Sequence, residues 1–257
     1  MAKRINLNAD IAEGFGAYSI GNDAALMKII RSASVACGFH AGDPITMHTI
    51  CMIAKEQNVS IGVHPGFNDL WGFGRRNIEM KSSDLEYMVA YQIGALQAIA
   101  AYAGMKVTHL KPHGALNNMA AERADYAEAI GRAIKVVDRS IIYVALAGSQ
   151  MEKAARKLGL PLAREGFVDR RYDDDGNLAS RSIAGTVLKD PAAAVAQTLR
   201  MVGDGEVVSM SGKRIKVAVD TLCVHGDEAT GVAVAVAARN ELERAGVSIV
   251  TLPEMGL

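Results

Sequence analysis

Short, mostly apolar runs alternate with longer segments of helical periodicity along almost the whole chain. The runs at 34–37, 59–63, 107–110 and 141–146 have the length of buried strands. Amphipathic segments between them, of which 83–103 is the longest, predict helices that cover a sheet. About seven or eight such β–α units fit in 257 residues, which favours a TIM-like (β/α)7–8 barrel.

An open doubly wound sheet is the alternative architecture for the same alternation. Such a sheet gathers its site at one switch point, whereas this chain places polar residues after nearly every predicted strand. The barrel is therefore the favoured fold. We expect a single domain over residues 1–257, with a hairpin insertion near 204–216.

Charged residues and histidines follow the predicted strands in equivalent positions. Because the carboxyl ends of parallel barrel strands face the same side, we expect these groups to share one pocket. Four of the six histidines occupy such positions, which isolated loop histidines do not explain. The candidate catalytic residues are Asp10, His40, His64, Lys111, His113, Glu165, Asp169 and His225. The candidates for binding substrate or nucleotide are Glu13, Asp43, Arg75, Arg76 and Asp227.

Cationic side chains near the predicted pocket indicate an anionic ligand. Lys111 ends a strand and precedes a stiff proline, so its charge suits a carboxylate or phosphate. A structural salt bridge of this lysine with Glu165 or Asp169 is the alternative. Arg75 and Arg76 follow a glycine-rich stretch that would let them clamp an anion on closing. A solvated loop with an ion pair stays open for these arginines.

Composition narrows the class of protein. Lys+Arg and Asp+Glu number 28 each, so no net field attracts nucleic acid or an anionic membrane. No apolar stretch approaches the roughly 20 residues that span a bilayer. The three cysteines are far apart in the chain, which fits a reducing cytoplasm better than a disulfide framework. The first residues enter a strand at once, leaving no room for a signal peptide, so we expect a cytoplasmic protein.

Common cofactor signatures are missing from the sequence. It has no P-loop, no G-x-G-x-x-G, no G-x-S-x-G, no H-E-x-x-H and no C-x-x-C. A metal site of one carboxylate and two imidazoles is conceivable from Asp10, His40 and His64. However, no pair of histidines has i,i+4 spacing on an evident helix. A tightly bound metal is therefore not expected, although the alternative stays open.

Six separated motifs, taken together, resemble the LamB/YcsF family, to which the A subunit of prokaryotic 5-oxoprolinase belongs. The matching segments are 8–10 with 13–16, 36–44, 62–66 with 72–76, 111–116, 165–170 with Tyr172 and Gly176, and 224–227. Two positions depart from the family's usual pattern. Ala12 stands where the family usually has glycine, and Asn117 where it usually has tyrosine.

The resemblance implies a barrel related to the deacetylase-like superfamily. It also implies ATP-dependent opening of 5-oxo-L-proline (pyroglutamate) to L-glutamate, carried out with separate B and C subunits and with Mg²⁺ accompanying the ATP. The missing P-loop then fits either a non-standard nucleotide site or phosphorylation managed with the partner subunits.

Roles follow from this reaction as hypotheses. Asp10 or Glu165 would act as the base, and His113 or His64 would donate a proton to the departing nitrogen. Lys111 would hold the substrate carboxylate or a phosphate. Two other classes remain: a metal-dependent amide hydrolase or deacetylase that acts alone, and a non-catalytic substrate-binding subunit.

Overall fold

The structure is a computed structural model that describes residues 3–225 and 230–257. Strands and helices alternate along it as the sequence pattern predicts. The strands are β1 (Arg4–Ile11), β2 (Ser32–Ala36), β3 (Ser60–His64), β4 (Val107–Leu110), β5 (Ile142–Leu146), β6 (Leu162–Phe167), β7 (Glu206–Val208), β8 (Arg214–Lys216), β9 (Thr221–Val224) and β10 (Ser248–Ile249). The helices are α1 (Asp23–Leu26), α2 (Pro44–Gln57), α3 (Ser82–Tyr102), α4 (Gly114–Glu122), α5 (Ala124–Asp138), α6 (Gln150–Leu158), α7 (Pro191–Gly203) and α8 (Gly231–Arg244).

Within the described residues, seven parallel strands close into a barrel. Their order is β1-β2-β3-β4-β5-β6-β9, and β9 pairs with β1 to complete the circle. Asn8 in β1, for example, lies opposite Ser32 of β2 on one side and Cys223 of β9 on the other. The short strand β10 adds to the beginning of β1. The predicted TIM-like barrel is therefore confirmed, with seven strands in the closed part.

An antiparallel hairpin of β7 and β8 interrupts the parallel order, in the segment where the sequence predicts an insertion. The Glu206 carboxylate on one strand pairs at 2.6 Å with both Arg214 and Lys216 on the other. These cross-strand ion pairs hold the hairpin together, and β9 then resumes the barrel.

The barrel interior contains hydrogen-bonded polar side chains. The Asn6 amide donates to the Ser32 hydroxyl at 2.9 Å, one strand away. The Asn8 amide donates to Glu165 at 3.0 Å and to the Thr221 hydroxyl at 2.7 Å. Because buried polar groups require partners, these inward-facing asparagines are stable in the core. Asn8 also links the interior to the groups at the barrel mouth.

The helices differ from the sequence prediction in two places. The sequence predicts a helix over 23–32, but α1 ends at Leu26, since Ser32 already belongs to β2 and hydrogen-bonds to Asn6. The sequence pattern predicts no helix over 114–121, yet α4 begins directly at Gly114. The Ala115 N–H donates to the Gly74 carbonyl at 3.0 Å, so a distant loop starts this helix. Among the described helices, none combines the length and apolar character that crossing a lipid bilayer requires.

Candidate active site

A cavity of about 450 Å³ opens at the carboxyl ends of the barrel strands. It is lined by six of the predicted site residues: Asp10, Glu13, Arg75, Lys111, His113 and His225. His64, Glu165 and Asp169 lie directly behind this lining, in contact with it. The structure thus brings most of the predicted residues to one mouth, as parallel strand ends require.

The first group, which we call the lysine cluster, surrounds a buried ammonium; its members are Asn8, Asp10, Lys111, Glu165 and Cys223. Lys111 Nζ lies 2.9 Å from Asp10 Oδ1 and 3.0 Å from Glu165 Oε1. It also contacts Asn8 Oδ1 at 3.3 Å and Cys223 Sγ at 3.0 Å. Burial opposes the charge, but Asp10, Cys223 and Glu165 raise the pKa of Lys111 well above its ordinary value. The lysine is therefore a fixed cation that holds two carboxylates in place.

The two carboxylates of this cluster have different environments. Burial raises the pKa of Asp10, but His64 and Lys111 outweigh it and hold that pKa well below its usual range. Burial raises the pKa of Glu165, which is 1% exposed. Asp10 is therefore the charged carboxylate that faces the cavity, whereas Glu165 is a buried partner of the lysine.

The second group, the imidazole cluster, consists of Glu13, His40, His64 and His113. His64 Nδ1 donates to the Lys111 carbonyl at 2.7 Å, and His113 Nε2 donates to the Phe73 carbonyl at 2.7 Å. A carbonyl only accepts, so these contacts place the ring proton of each neutral histidine on the nitrogen that faces the carbonyl. His64 Nε2 and His113 Nδ1 are then both bare, and they lie 3.0 Å apart.

Carboxylate oxygens approach the same two ring nitrogens. Glu13 Oε1 lies 3.2 Å from His113 Nδ1 and 4.0 Å from His64 Nε2. Asp10 Oδ2 lies 3.3 Å from His64 Nε2. Glu13 Oε1 is buried and has no hydrogen-bond partner among the described residues. Acceptor atoms of Glu13, His64 and His113 therefore meet at one point, with Asp10 beside His64.

His40 packs over this point. Its ring stacks on His113 with centroids 3.7 Å apart and planes 7° from parallel. Burial, and then the neighbouring His113, lower the pKa of His40 to about 3, so the ring is neutral. Two glycines make room for it: a Cβ would lie 2.5 Å from the His40 ring at Gly66 and 2.7 Å from His40 Cβ at Gly74. This close approach explains the glycines in the loop that follows β3.

A paired imidazole occupies the opposite side of the cavity. His225 Nδ1 donates to both Asp169 oxygens, at 2.8 and 2.9 Å. Burial lowers the pKa of His225, but Asp169 and Cys223 outweigh it and raise that pKa well above its ordinary value. His225 is therefore an imidazolium at neutral pH, and it lines the cavity.

Two predicted binding residues have local partners instead of a place in the cavity lining. Asp43 caps α2 by accepting from the N–H groups of Ile45 at 2.8 Å and Thr46 at 3.0 Å. Arg76 is bound to Asp69, with Nε 2.9 Å from Oδ1. At both positions the side chain is engaged in a structural contact, and ligand binding by Asp43 or Arg76 stays a prediction. Asp227 lies outside the described residues.

Arg170 is a candidate that sequence reasoning missed. It lines the cavity, is 6% exposed, and donates from Nη2 to the Ala179 carbonyl at 2.6 Å. Its buried Nε has no partner among the described residues. Burial, and then Arg181, lower its pKa to about 10, which leaves it charged at neutral pH. The available signal was its place in the 165–170 motif, directly after Asp169.

The family model for LamB/YcsF matches residues 5–256. The chain belongs to the LamB/YcsF family. It is 52% identical over 247 residues to a Rhodopseudomonas palustris protein named as the A subunit of 5-oxoprolinase, covering 96% of this chain and 97% of that one. A protein of the same name from Heliobacterium modesticaldum is 48% identical over 246 residues, covering 96% and 97%.

Solved structures agree with this membership. The lactam utilization protein of Thermus thermophilus has a TM-score of 0.90 and 40% identity, covering 96% of this chain and 99% of that one. A structure described as T48 deacetylase with substrate has a TM-score of 0.53 and 15% identity, covering 99% and 90%. The second likeness shows the fold alone.

The two departures from the family's usual residues both lie near the cavity. Ala12 has a φ of 63°, in the left-handed region that favours glycine. Asn117 lines the cavity, so the smaller side chain changes one wall.

Proposed function

We propose that this chain is the catalytic A subunit of an ATP-dependent 5-oxoprolinase, which opens pyroglutamate to L-glutamate. The observation that carries the proposal is the 52% identity, over nearly the full length, to a protein of that name. Because that name describes one part of an assembly, it supports a complex of several chains, and we propose B and C subunits as the partners. A cytoplasmic location, and the lack of nucleic-acid or membrane partners, stay predictions.

The chemistry requires activation, because a five-membered lactam is an unstrained amide. We propose that the lactam oxygen takes the γ-phosphoryl group of ATP, with Mg²⁺ as its counter-ion, and that ADP leaves. Water then adds to the ring carbon, and the C–N bond breaks as the nitrogen takes a proton. This leaves an acyl phosphate, and a second water releases inorganic phosphate and glutamate.

Asp10 is the base that we propose for the attacking water. It faces the cavity, and Lys111 and His64 hold its pKa well below the usual range even though burial acts the other way. Two contacts also fix its orientation, Oδ1 on Lys111 at 2.9 Å and Oδ2 near His64 at 3.3 Å. The low pKa keeps Asp10 ionised but makes it a weak base, so the proposal depends on its fixed position at the cavity. Glu165, the alternative base, is buried against the lysine.

His225 is the acid that we propose for the departing nitrogen. Its proton on Nδ1 is bound by Asp169, which leaves the Nε2 proton of the imidazolium for donation. This assignment differs from the sequence-based hypothesis of His113 or His64. In those two rings, a backbone carbonyl already takes the ring proton.

Arginines are better placed than Lys111 to hold anionic parts of the substrates. Lys111 is 2% exposed, and four contacts within 3.3 Å surround its ammonium. Arg170 and Arg75 line the cavity, and a guanidinium binds carboxylate or phosphate in a bidentate manner. We therefore propose these arginines for the substrate carboxylate and the phosphates.

The test is glutamate release from 5-oxoproline and ATP by this chain, with and without B and C subunits. We expect ATP-dependent glutamate release in the reconstituted mixture, with ADP formed alongside it. An assembled complex that hydrolyses no 5-oxoproline would contradict the proposal. Unchanged turnover in an Asp10→Asn complex would instead indicate that this chain only binds the substrate.

One observation favours a second candidate function. The imidazole cluster resembles the donor set of a metal-dependent amide hydrolase that acts alone. Glutamate release by the isolated chain without ATP would support this second candidate and contradict the first.

A further inference from the structure

The point where the imidazole cluster meets Asp10 has no role in the reaction scheme above. His64 Nε2 and His113 Nδ1 face each other at 3.0 Å, with Glu13 Oε1 at 3.2 Å from the latter. The ring protons of both histidines lie on the opposite nitrogens, bound by carbonyl groups. The atoms that converge are therefore all acceptors.

Such an arrangement is unfavourable without a positive charge at its centre. Lone pairs and a carboxylate oxygen repel at these distances, and a buried polar atom without a partner costs free energy. The residues are nevertheless held in place from outside, because both rings are fixed by short hydrogen bonds and Glu13 is more than nine-tenths buried. Geometry that is fixed around an unfavourable centre indicates a ligand of opposite charge.

We propose that Glu13, His64 and His113 bind a divalent transition-metal ion of the zinc class. In a tetrahedral site with bonds of about 2.0–2.2 Å, neighbouring donor atoms lie roughly 3.3–3.6 Å apart. The donor pairs here are separated by 3.0, 3.2 and 4.0 Å, on either side of that spacing. The inference depends on this geometry and not on the proposed function.

The outer contacts of the two imidazoles agree with a metal site. A histidine that ligates a metal usually donates its other ring N–H to a carbonyl, a carboxylate or water, which fixes the tautomer. His64 and His113 both do so, to the carbonyls of Lys111 and Phe73. Asp10 Oδ2 lies 3.3 Å from His64 Nε2, beside the three donors, and water would complete the coordination.

His40 belongs to the cluster by distance but not by orientation. Its Nε2 lies 3.6 Å from Glu13 Oε1. However, its ring is stacked parallel on His113 at 3.7 Å, and one ion cannot lie in both ring planes. We therefore assign His40 to the wall of the site, where its ring covers His113.

The donor set also selects the class of ion. Neutral imidazole nitrogens with carboxylate oxygens suit Zn²⁺ and similar transition metals, whereas Mg²⁺ prefers oxygen ligands and water. The Mg²⁺ that accompanies ATP is therefore not the ion expected here. A bound ion of this kind would polarise a water or carbonyl oxygen at the cavity.

The test is zinc titration of the chelator-treated chain by calorimetry. We expect one Zn²⁺ per folded wild-type chain. His64→Gln and His113→Gln should each weaken binding by more than the roughly 100-fold that removal of an outer partner can cost. The matched control is His48→Gln, which removes an exposed imidazole on α2 and should bind zinc as the wild type does.

Three outcomes would overturn the inference. The folded wild-type chain could take up no zinc, or the folded His64→Gln and His113→Gln variants could bind zinc as the wild type does. The third outcome is a His48→Gln variant that loses as much zinc affinity as the other two variants. If the variants do not fold, X-ray absorption of the zinc-loaded wild type decides. Two imidazole ligands are expected, and a spectrum without imidazole scattering would contradict the site. Zinc binding without ATP-dependent glutamate release would contradict only the proposed function. ATP-dependent glutamate release without zinc binding would contradict only this inference.

Discussion

The two sides of the cavity differ in how their buried polar groups are paired. On one side, the ammonium of Lys111 and the imidazolium of His225 each meet a carboxylate: Lys111 lies 2.9 Å from Asp10 and 3.0 Å from Glu165, and His225 lies 2.8 Å from Asp169. On the side of β3 and β4, bare ring nitrogens meet each other at 3.0 Å and Glu13 at 3.2 Å. The two cations of the first side are paired within the chain, whereas on the second side the acceptor atoms face one another.

This difference indicates a division of labour. Complete pairing fixes the charge and direction of a group before any ligand arrives, which is what an acid or a base needs. Incomplete pairing leaves a centre that a cation from outside can complete. Asp10 belongs to both sides, since its two oxygens contact Lys111 and His64 respectively.

The largest effect on stability is expected at the paired side. Lys111→Met leaves Asp10 and Glu165 buried without their cation, and removing one partner of a buried ion pair costs about 3–5 kcal/mol. Denaturant unfolding of the metal-free protein at neutral pH measures this loss.

The counterpart on the unpaired side is His40→Leu. It removes ring nitrogens that have no hydrogen-bond partner among the described residues. The cost is therefore mainly the lost ring stacking, at about 0.5–1.5 kcal/mol, because no satisfied polar contact is broken. If His40→Leu lowers the unfolding free energy as much as Lys111→Met does, the two sides do not differ in how strongly their contacts stabilise the fold.

The next effect concerns the residue that the two sides share. Asp10→Asn should lower kcat of the reconstituted complex at least about 100-fold, since an amide cannot accept the proton of water. Asp204→Asn makes the same chemical change at an exposed position after α7 and should leave kcat unchanged. Circular dichroism of both variants checks the fold, and a folded Asp10→Asn complex with normal kcat would rule out Asp10 as the base.

A smaller effect should appear in the pH dependence of stability. The pKa of His225 is raised in the folded protein, so the stabilisation from its pair with Asp169 is fully present below about pH 6.5. It is lost as the pH rises through the raised value, by at most about 1.4 kcal/mol per pH unit. Above about pH 6.5, the unfolding free energy should therefore fall more steeply with pH for the wild type than for His225→Gln. If the unfolding free energies of the two proteins change equally with pH, His225 does not hold its proton more tightly in the folded protein than in the unfolded chain.

The smallest effect is expected from the backbone beside the unpaired side. Ala12 holds a φ of 63° between Asp10 and Glu13, and a left-handed residue with a Cβ costs about 1–2 kcal/mol. A glycine at this position avoids the steric cost of the Cβ, but its backbone loses more conformational entropy on folding. The net effect is that Ala12→Gly should stabilise the protein by about 0.5–1 kcal/mol. Thermal unfolding measures the gain, and a lower Tm for Ala12→Gly would show that the strain is relieved elsewhere.

The sequence was sufficient for the fold and for the gathering of most candidate residues at one cavity, because both follow from periodicity and strand ends. Asp10, Lys111, His113 and His225 line the cavity since each lies in or just after a parallel strand. The helix α4 was missed because its start depends on the Gly74 carbonyl, which is distant in sequence.

The electrostatic roles were not accessible from the sequence for the same reason. The tautomer of His113 depends on the Phe73 carbonyl, and the bare pair of nitrogens depends on where His64 meets that ring. Neither contact has a local signature. Arg170 was missed because only the folded chain shows that its guanidinium is buried against the cavity.

Ring-nitrogen NMR of the metal-free wild-type protein at neutral pH tests the contrast between the two sides most directly. We predict that His225 carries protons on both nitrogens. We also predict that His64 carries a proton on Nδ1, which faces the Lys111 carbonyl, and that His113 is neutral with its proton on Nε2. A neutral His225, a doubly protonated His113, or a His64 without a proton on Nδ1 would contradict the account.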